Sequence, residues 1–289
     1  MKIDINIFIK NELKKITYKN FSKKYITQHL IPIINHINDS NDNKFIISGP
    51  QGSGKTTISK LLKVVIEKIY KKKVMVLSID DYYLSKKKRI ELSKKVHPLL
   101  ITRGVPGTHN VKKLQKDINK FINKKFPIKV PIFDKLTDDT STKRTIIKKA
   151  DILLLEGWCC GSKPLTNKYL KKNINNLEKQ LDKKYKWRGY YNTQLKKEYT
   201  EIFSKFNHKI YIKPPSFVHV LKWRRNQEKQ NALINKKKVF MFEEELKYFI
   251  QHYEKLTRWM IKTMPAKASI IIKINKNQKI EKVIKTDNY

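Results

Sequence analysis

A short apolar run over residues 44–48 leads straight into Gly49-Pro-Gln-Gly-Ser-Gly-Lys-Thr56, and an amphipathic stretch follows at once. No other feature constrains the fold so tightly. Gly52 and Gly54 allow successive backbone amides to turn towards a single anion. Behind them, residues 58–70 carry Leu61, Leu62, Val65, Ile66 and Ile69 at helical spacing. A helix beginning there aims unpaired amides and the positive end of its dipole at the same point. The loop made of Gly49, Pro50, Gln51, Gly52, Ser53, Gly54, Lys55, Thr56 and Thr57 is therefore expected to cradle the phosphates of ATP. Lys55 would reach the β- and γ-phosphates, and the Thr56 hydroxyl would ligate Mg2+.

Apolar, strand-like runs recur at 74–79, 128–133, 151–155, 209–212 and 269–274, with helical patterns between most of them. That alternation predicts an α/β architecture of the P-loop NTPase kind, a mainly parallel sheet with helices on both faces. Residues 1–40 read as a helical N-terminal arm and 41–289 as one domain, with a helical insertion over about 165–206. The 289 residues suffice for one large α/β domain.

The formal net charge of +40 raises the question of a nucleic-acid partner. The lysines are spread through every segment, in a chain also rich in Asn, Ile and Tyr, as an AT-rich genome would encode. A nucleic-acid footprint calls for a patch, so nucleic acid is not expected as the partner. Cys159 and Cys160 are adjacent, which rules out stapling distant segments and lacks the paired spacing of a zinc site. They read as small buried residues of a reducing compartment. The N-terminus has no continuous hydrophobic region and no apolar run reaches the length of a membrane span, so a cytoplasmic protein is expected.

Ligands of such sheets bind at the carboxyl ends of the strands, so the residues that leave each strand are the candidates for chemistry. The run at 74–79 exits through Asp80 and Asp81, either of which is a candidate base for a substrate hydroxyl. The run at 151–155 ends in Glu156, suited to hold magnesium or its water. The turn 103–110 carries Arg103 and His109, and the run at 128–133 exits into Asp134 and Lys135, with Lys143 and Arg144 following. These cations would converge where a small acidic substrate meets a triphosphate.

Taken in order, these segments resemble the phosphoribulokinase, uridine kinase and pantothenate kinase group of P-loop kinases, and within it the D-glycerate 3-kinase type and its bacterial relatives. The resemblance rests on residues 49–57, Leu-Ser-Ile-Asp-Asp-Tyr-Tyr-Leu (77–84), Arg-Gly-Val-Pro-Gly-Thr-His (103–109), Phe-Asp-Lys (133–135), Leu-Glu-Gly-Trp-Cys (155–159), Trp-Arg at 187–188, Trp-Arg-Arg-Asn-Gln-Glu (223–228) and His-Tyr-Glu-Lys-Leu-Thr-Arg-Trp (252–259). It implies transfer of the γ-phosphoryl of ATP to the hydroxyl of a small molecule, with D-glycerate favoured over a uridine- or pantothenate-type acceptor. It implies that Asp80 is the base and Lys55 a catalytic cation, and that Thr56 and Glu156 handle magnesium. Arg224 would belong to a lid over ATP, with Arg225 as its substitute. Asp81, Tyr83, Arg103, His109, Asp134, Lys135 and Trp158 would line the acceptor. Two positions depart from the group: Asn110 stands where Asp is frequent, and Thr140 where Arg commonly follows the Asp-Asp pair, a loss that Lys143 or Arg144 would offset.

Overall fold

The computed structural model of the protein describes residues 4–234 and 243–286. Among them the strands are, in chain order, β1 (Lys44–Ser48), β2 (Val74–Ser78), β3 (Ile128–Asp134), β4 (Asp139–Ile147), β5 (Ile152–Gly157), β6 (His208–Lys213), β7 (Ile270–Ile274) and β8 (Ile280–Lys285). Six of them form one sheet in the order β2-β5-β1-β6-β7-β8. Its pairings are parallel except for the antiparallel β7–β8 edge.

Successive strand residues point to opposite faces, and both faces are covered. In β1, Phe45 and Ile47 pack with Leu61, Leu62, Val65 and Ile66 of the helix Lys55–Ile69 and with Ile9, Leu13, Ile33 and Ile34 from the N-terminal helices. Ile46 points the other way, into a core that includes Met75, Leu77, Leu153 and Leu155 and is closed by Leu114, Ile118, Trp187, Tyr191 and Tyr199. The expected sheet, with helices on both faces, is what the structure contains.

One strand corrects the reading of the sequence. The run at 128–133, expected in the parallel sheet, opens β3, which pairs antiparallel with β4 in a separate two-stranded ribbon. The physical reason is Pro131, which has no N–H for a ladder, next to Lys129, which is exposed; a strand buried on both faces tolerates neither. The register slips between Pro131 and Phe133, at that proline.

The segment after β5 holds the helices Asn167–Lys171, Asn176–Leu181, Lys186–Gln194 and Thr200–Phe203 and a π-helical turn at Leu195–Tyr199. A buried charge cluster fastens it. Arg188 reaches Asp182 at 2.7 Å and Glu178 at 3.0 Å, and Lys255 of the helix Glu243–Thr263 reaches Glu178 at 3.2 Å. All four side chains are almost fully shielded from solvent, where a charge is tolerated only when paired.

Candidate active site

Strand register decides which residues meet. Ser48 at the end of β1 lies opposite Gly157 of β5 and Tyr211 of β6, while Ser78 at the end of β2 lies opposite Glu156. The loop leaving β1, the acids leaving β2 and the carboxylate ending β5 therefore share one carboxyl edge, where open α/β sheets take ligands.

Gly52 and Gly54 adopt φ of 72° and 91°, left-handed conformations that favour glycine. Gly54 caps the helix Lys55–Ile69 without a side-chain hydrogen bond, so the amides of its first turn stay free for an anion. Ser53 Oγ is buried with no hydrogen-bond partner among the described residues. Lys55 folds back and donates from Nζ to the Pro50 carbonyl at 2.9 Å. Thr57 lies half-buried in the first turn of the helix. From outside, Gln278 donates to the Gly52 carbonyl at 2.5 Å. A Cβ at position 52 would stand 2.8 Å from Cβ of Trp223, so the helix Phe217–Ile234 presses directly on the loop.

Thr56 Oγ1 and Glu156 Oε1 stand 3.4 Å apart. Burial raises the Glu156 carboxyl, with the Lys55 ammonium pulling it back down. A hydroxyl beside one buried carboxylate fits magnesium, which keeps several waters and takes few protein ligands. No cluster of three or more His, Cys, Asp or Glu able to hold a metal occurs among the described residues.

Asp80 sits in the 3-10 turn Ile79–Tyr82 that follows β2. It accepts from Lys135 Nζ at 2.9 Å and from the Tyr83 hydroxyl at 2.8 Å. Burial would raise its carboxyl, but the Lys135 ammonium, these two hydrogen bonds and the Lys55 charge together hold it well below the usual carboxylate range. Asp81 behaves differently. Burial raises its carboxyl, as does the charge of Asp80, while the Phe133 N–H that it accepts at 3.2 Å works against the rise. Asp81 thus ties β3 to the exit of β2, while Asp80 accepts from Lys135 and feels the charge of Lys55.

The turn at 103–109 is built by hydrogen bonds. Tyr253 donates to the Arg103 carbonyl at 2.7 Å, the Trp158 indole donates to the Gly104 carbonyl at 3.0 Å, and Gly104 N–H donates to Thr108 Oγ1 at 3.0 Å. Trp158 is only 3% exposed, so it supports this turn from the core. The Arg103 guanidinium pairs with Asp138 and lies over the Phe133 ring. His109 is buried and stacks on Tyr83 with ring centroids 4.6 Å apart. Burial lowers its pKa to about 4, so the ring is neutral at physiological pH.

The structure thus brings together Lys55, Thr56, Glu156, Asp80, Tyr83, Lys135 and His109. Others lie at the margin. Asp134 caps its own turn, accepting from Leu136 N–H at 2.8 Å. Arg224 packs over Phe249, and Arg225 pairs with Glu243 at 2.6 Å. Asn110 caps the helix Val111–Ile122. Arg144 turns onto the carbonyls of Ser141 and Lys143 in its own strand. Sequence reasoning missed Asp138, which gathers Arg103 and the buried Arg89, and also Tyr199, Tyr253 and Gln278. For Tyr253 a signal existed, since it lies inside the segment 252–259.

No family model matches the chain. The chain is similar to the uncharacterized kinase mug58 of Schizosaccharomyces pombe, at 30% identity over 219 residues that span 72% of this chain and 76% of that protein. It is also similar to the chloroplastic D-glycerate 3-kinase of Arabidopsis thaliana, at 30% identity over 222 residues, 71% of this chain but 45% of that longer protein. Among solved structures, a D-glycerate 3-kinase from Cryptococcus neoformans superposes with a TM-score of 0.69 at 22% identity, covering 97% of each chain, and shows the same fold.

Proposed function

The chain belongs to the P-loop kinases, and from that premise we propose that it transfers the γ-phosphoryl of ATP to a hydroxyl of a small carboxylate, D-glycerate being the acceptor that fits best. The observation that carries this reading is the shared carboxyl edge of β1, β2 and β5, which sets a strongly ionised Asp80 beside Lys55 and Glu156. A kinase has little covalent work to do; in-line positioning and neutralisation of spreading negative charge supply most of the rate.

In this reading the free amides after Gly54 and the side chain of Ser53 hold the phosphates. Lys55 leaves the Pro50 carbonyl to meet the γ-phosphoryl oxygens. Asp80 accepts the proton of the attacking hydroxyl, and its position is held by Tyr83 and Lys135. Thr56 and Glu156 would hold Mg2+, which when bound neutralises charge on the β- and γ-phosphates. Lys135, Arg103 and the neutral His109 supply donors for an acidic acceptor, while Arg224 closes from the helix that presses on Gly52. The likeness to D-glycerate 3-kinases supports the choice of acceptor.

The test is ADP release by the purified protein with magnesium ATP, comparing D-glycerate with uridine, cytidine, pantothenate, ribulose 5-phosphate and RNA. D-glycerate-dependent turnover is the expected result. Turnover with another small hydroxyl compound would keep the mechanism and replace the substrate. Stimulation by RNA alone would overturn the small-molecule reading and give the +40 charge a role.

A further inference from the structure

We infer that Tyr199, in the helical insertion, is a positioning residue that locks His109 in one tautomer, with the proton on Nε2, and so makes it an uncharged donor to an oxygen of the acceptor substrate. The inference rests on the function proposed above and adds to it a residue that lies outside the phosphate loop and the strand exits.

The Tyr199 hydroxyl has two polar neighbours. Gly107 N–H donates to it at 2.9 Å, and His109 Nδ1 lies 2.6 Å away. The hydroxyl carries one proton, and among the described residues Nδ1 is the acceptor within its reach. The proton therefore goes to Nδ1, and Nδ1 accepts. Burial keeps the ring neutral, so the ring proton resides on Nε2. Nε2 is itself buried and has no hydrogen-bond partner among the described residues. A buried N–H with no partner costs free energy unless something else accepts from it.

The ring cannot turn away to find one. Tyr83 stacks on one face and Tyr199 meets it edge-on, with centroids 5.8 Å apart. The backbone is pinned too, by a bridge between Tyr83 and His109 and by Leu84 N–H donating to the Thr108 carbonyl at 2.9 Å. The charge of Asp80 is felt at the ring. Tyr199 reaches this position because it ends the π-helical turn Leu195–Tyr199, where the extra residue per turn rotates the side chain, a feature frequent at functional sites. The insertion also presses on the same turn at Gly107, where a Cβ would come within 2.9 Å of Gln194 Cγ.

The chemistry recognised is an oxygen acceptor, a carboxylate or hydroxyl of the small molecule. A neutral donor discriminates between substrates by geometry with no net charge to attract competing phosphates.

The test has two arms on the full-length protein. Nitrogen-15 NMR of the histidine ring should show His109 Nδ1 unprotonated and Nε2 protonated in the wild type. Tyr199→Phe keeps the ring packing and removes the hydroxyl, and it should raise the KM for the acceptor about tenfold, the size of one hydrogen bond, with the KM for ATP unchanged. Gln places an amide donor near the Nε2 position without needing a tautomer. His109→Gln should therefore retain more activity than His109→Ala, and adding Tyr199→Phe to His109→Gln should change the acceptor KM less than about twofold. A protonated Nδ1 in the wild type, or an unaltered acceptor KM in Tyr199→Phe, would overturn the inference. If Tyr199→Phe fails to fold, the ring spectrum of the wild type still decides. Absence of turnover with every acceptor would refute the proposed function, while the ring spectrum would still report the tautomer independently of turnover.

Discussion

Replacing Asp80 by Asn separates chemistry from binding. The two side chains are nearly the same size, and the amide oxygen still accepts from the Tyr83 hydroxyl, which lies 2.8 Å from the carboxylate in the wild type. The Lys135 partner is half-exposed, and the pair that is lost is of the partly solvated kind worth about 1 kcal/mol or less, so the fold should survive. What disappears is the proton acceptor. General-base catalysis contributes about 10²–10⁴ in rate, so kcat should fall by that factor, equivalent to roughly 3–5 kcal/mol of transition-state stabilisation. ATP affinity by calorimetry should stay within about threefold, the hydrogen bonds of Asp80 being to Tyr83 and Lys135 and not to the phosphate loop. The pH dependence gives a second readout. Lys135 holds the Asp80 carboxyl low, and a lowered carboxyl stays ionised until the pH falls through that low value. Protonation of Asp80 therefore should not limit the wild-type rate near neutrality. In Lys135→Met the carboxyl rises, and the acid limb of the rate profile should move to higher pH. A kcat loss under about tenfold in Asp80→Asn, or an equal loss of ATP affinity, would refute the assignment and direct attention to Asp81.

Lys55→Ala should leave the melting temperature close to wild type, since Nζ makes a single hydrogen bond, to a loop carbonyl, while removing most turnover; wild-type-like ADP release would sink the kinase mechanism. Arg188→Met leaves Glu178 and Asp182 buried with Lys255 as the remaining close cation, and should cost about 3–5 kcal/mol in urea denaturation. Burial already raises the Glu178 carboxyl, and losing Arg188 raises it further. A carboxyl raised in the folded state costs stability as pH rises above its ordinary value, so the deficit should be larger near neutral pH than near the ordinary carboxylate range. An equal deficit at both would mean that Glu178 is not the group left stranded.

Much of the site was legible because its chemistry is local. A phosphate loop is one contiguous stretch, in which glycine positions, the lysine and the helix behind it are neighbours in sequence. Asp80 and Glu156 were legible for a related reason, as the residues that follow apolar runs. Other parts were not. β4 is Asp-Thr-Ser-Thr-Lys-Arg-Thr-Ile-Ile, largely polar and exposed, with no buried face to mark it. Asp138 acquires meaning only when Arg89 and Arg103, distant in sequence, arrive at it together.

By itself the sequence determined the strand–loop–helix that opens the site, the parallel sheet buried on both faces and the carboxylates at its edge, because each follows from local propensity and short-range periodicity. Only the tertiary structure decided the partners of each acid. Asp80 and Asp81 are adjacent, yet the Phe133 amide engages Asp81 while Lys135 and Tyr83 engage Asp80, a difference set by where β3 lands after leaving the main sheet. The same holds for His109, whose tautomer depends on a hydroxyl 90 residues further along the chain. Hydrogen bonds and burial between distant segments have no signature in local pattern, and here they set the protonation of the groups proposed to carry the chemistry.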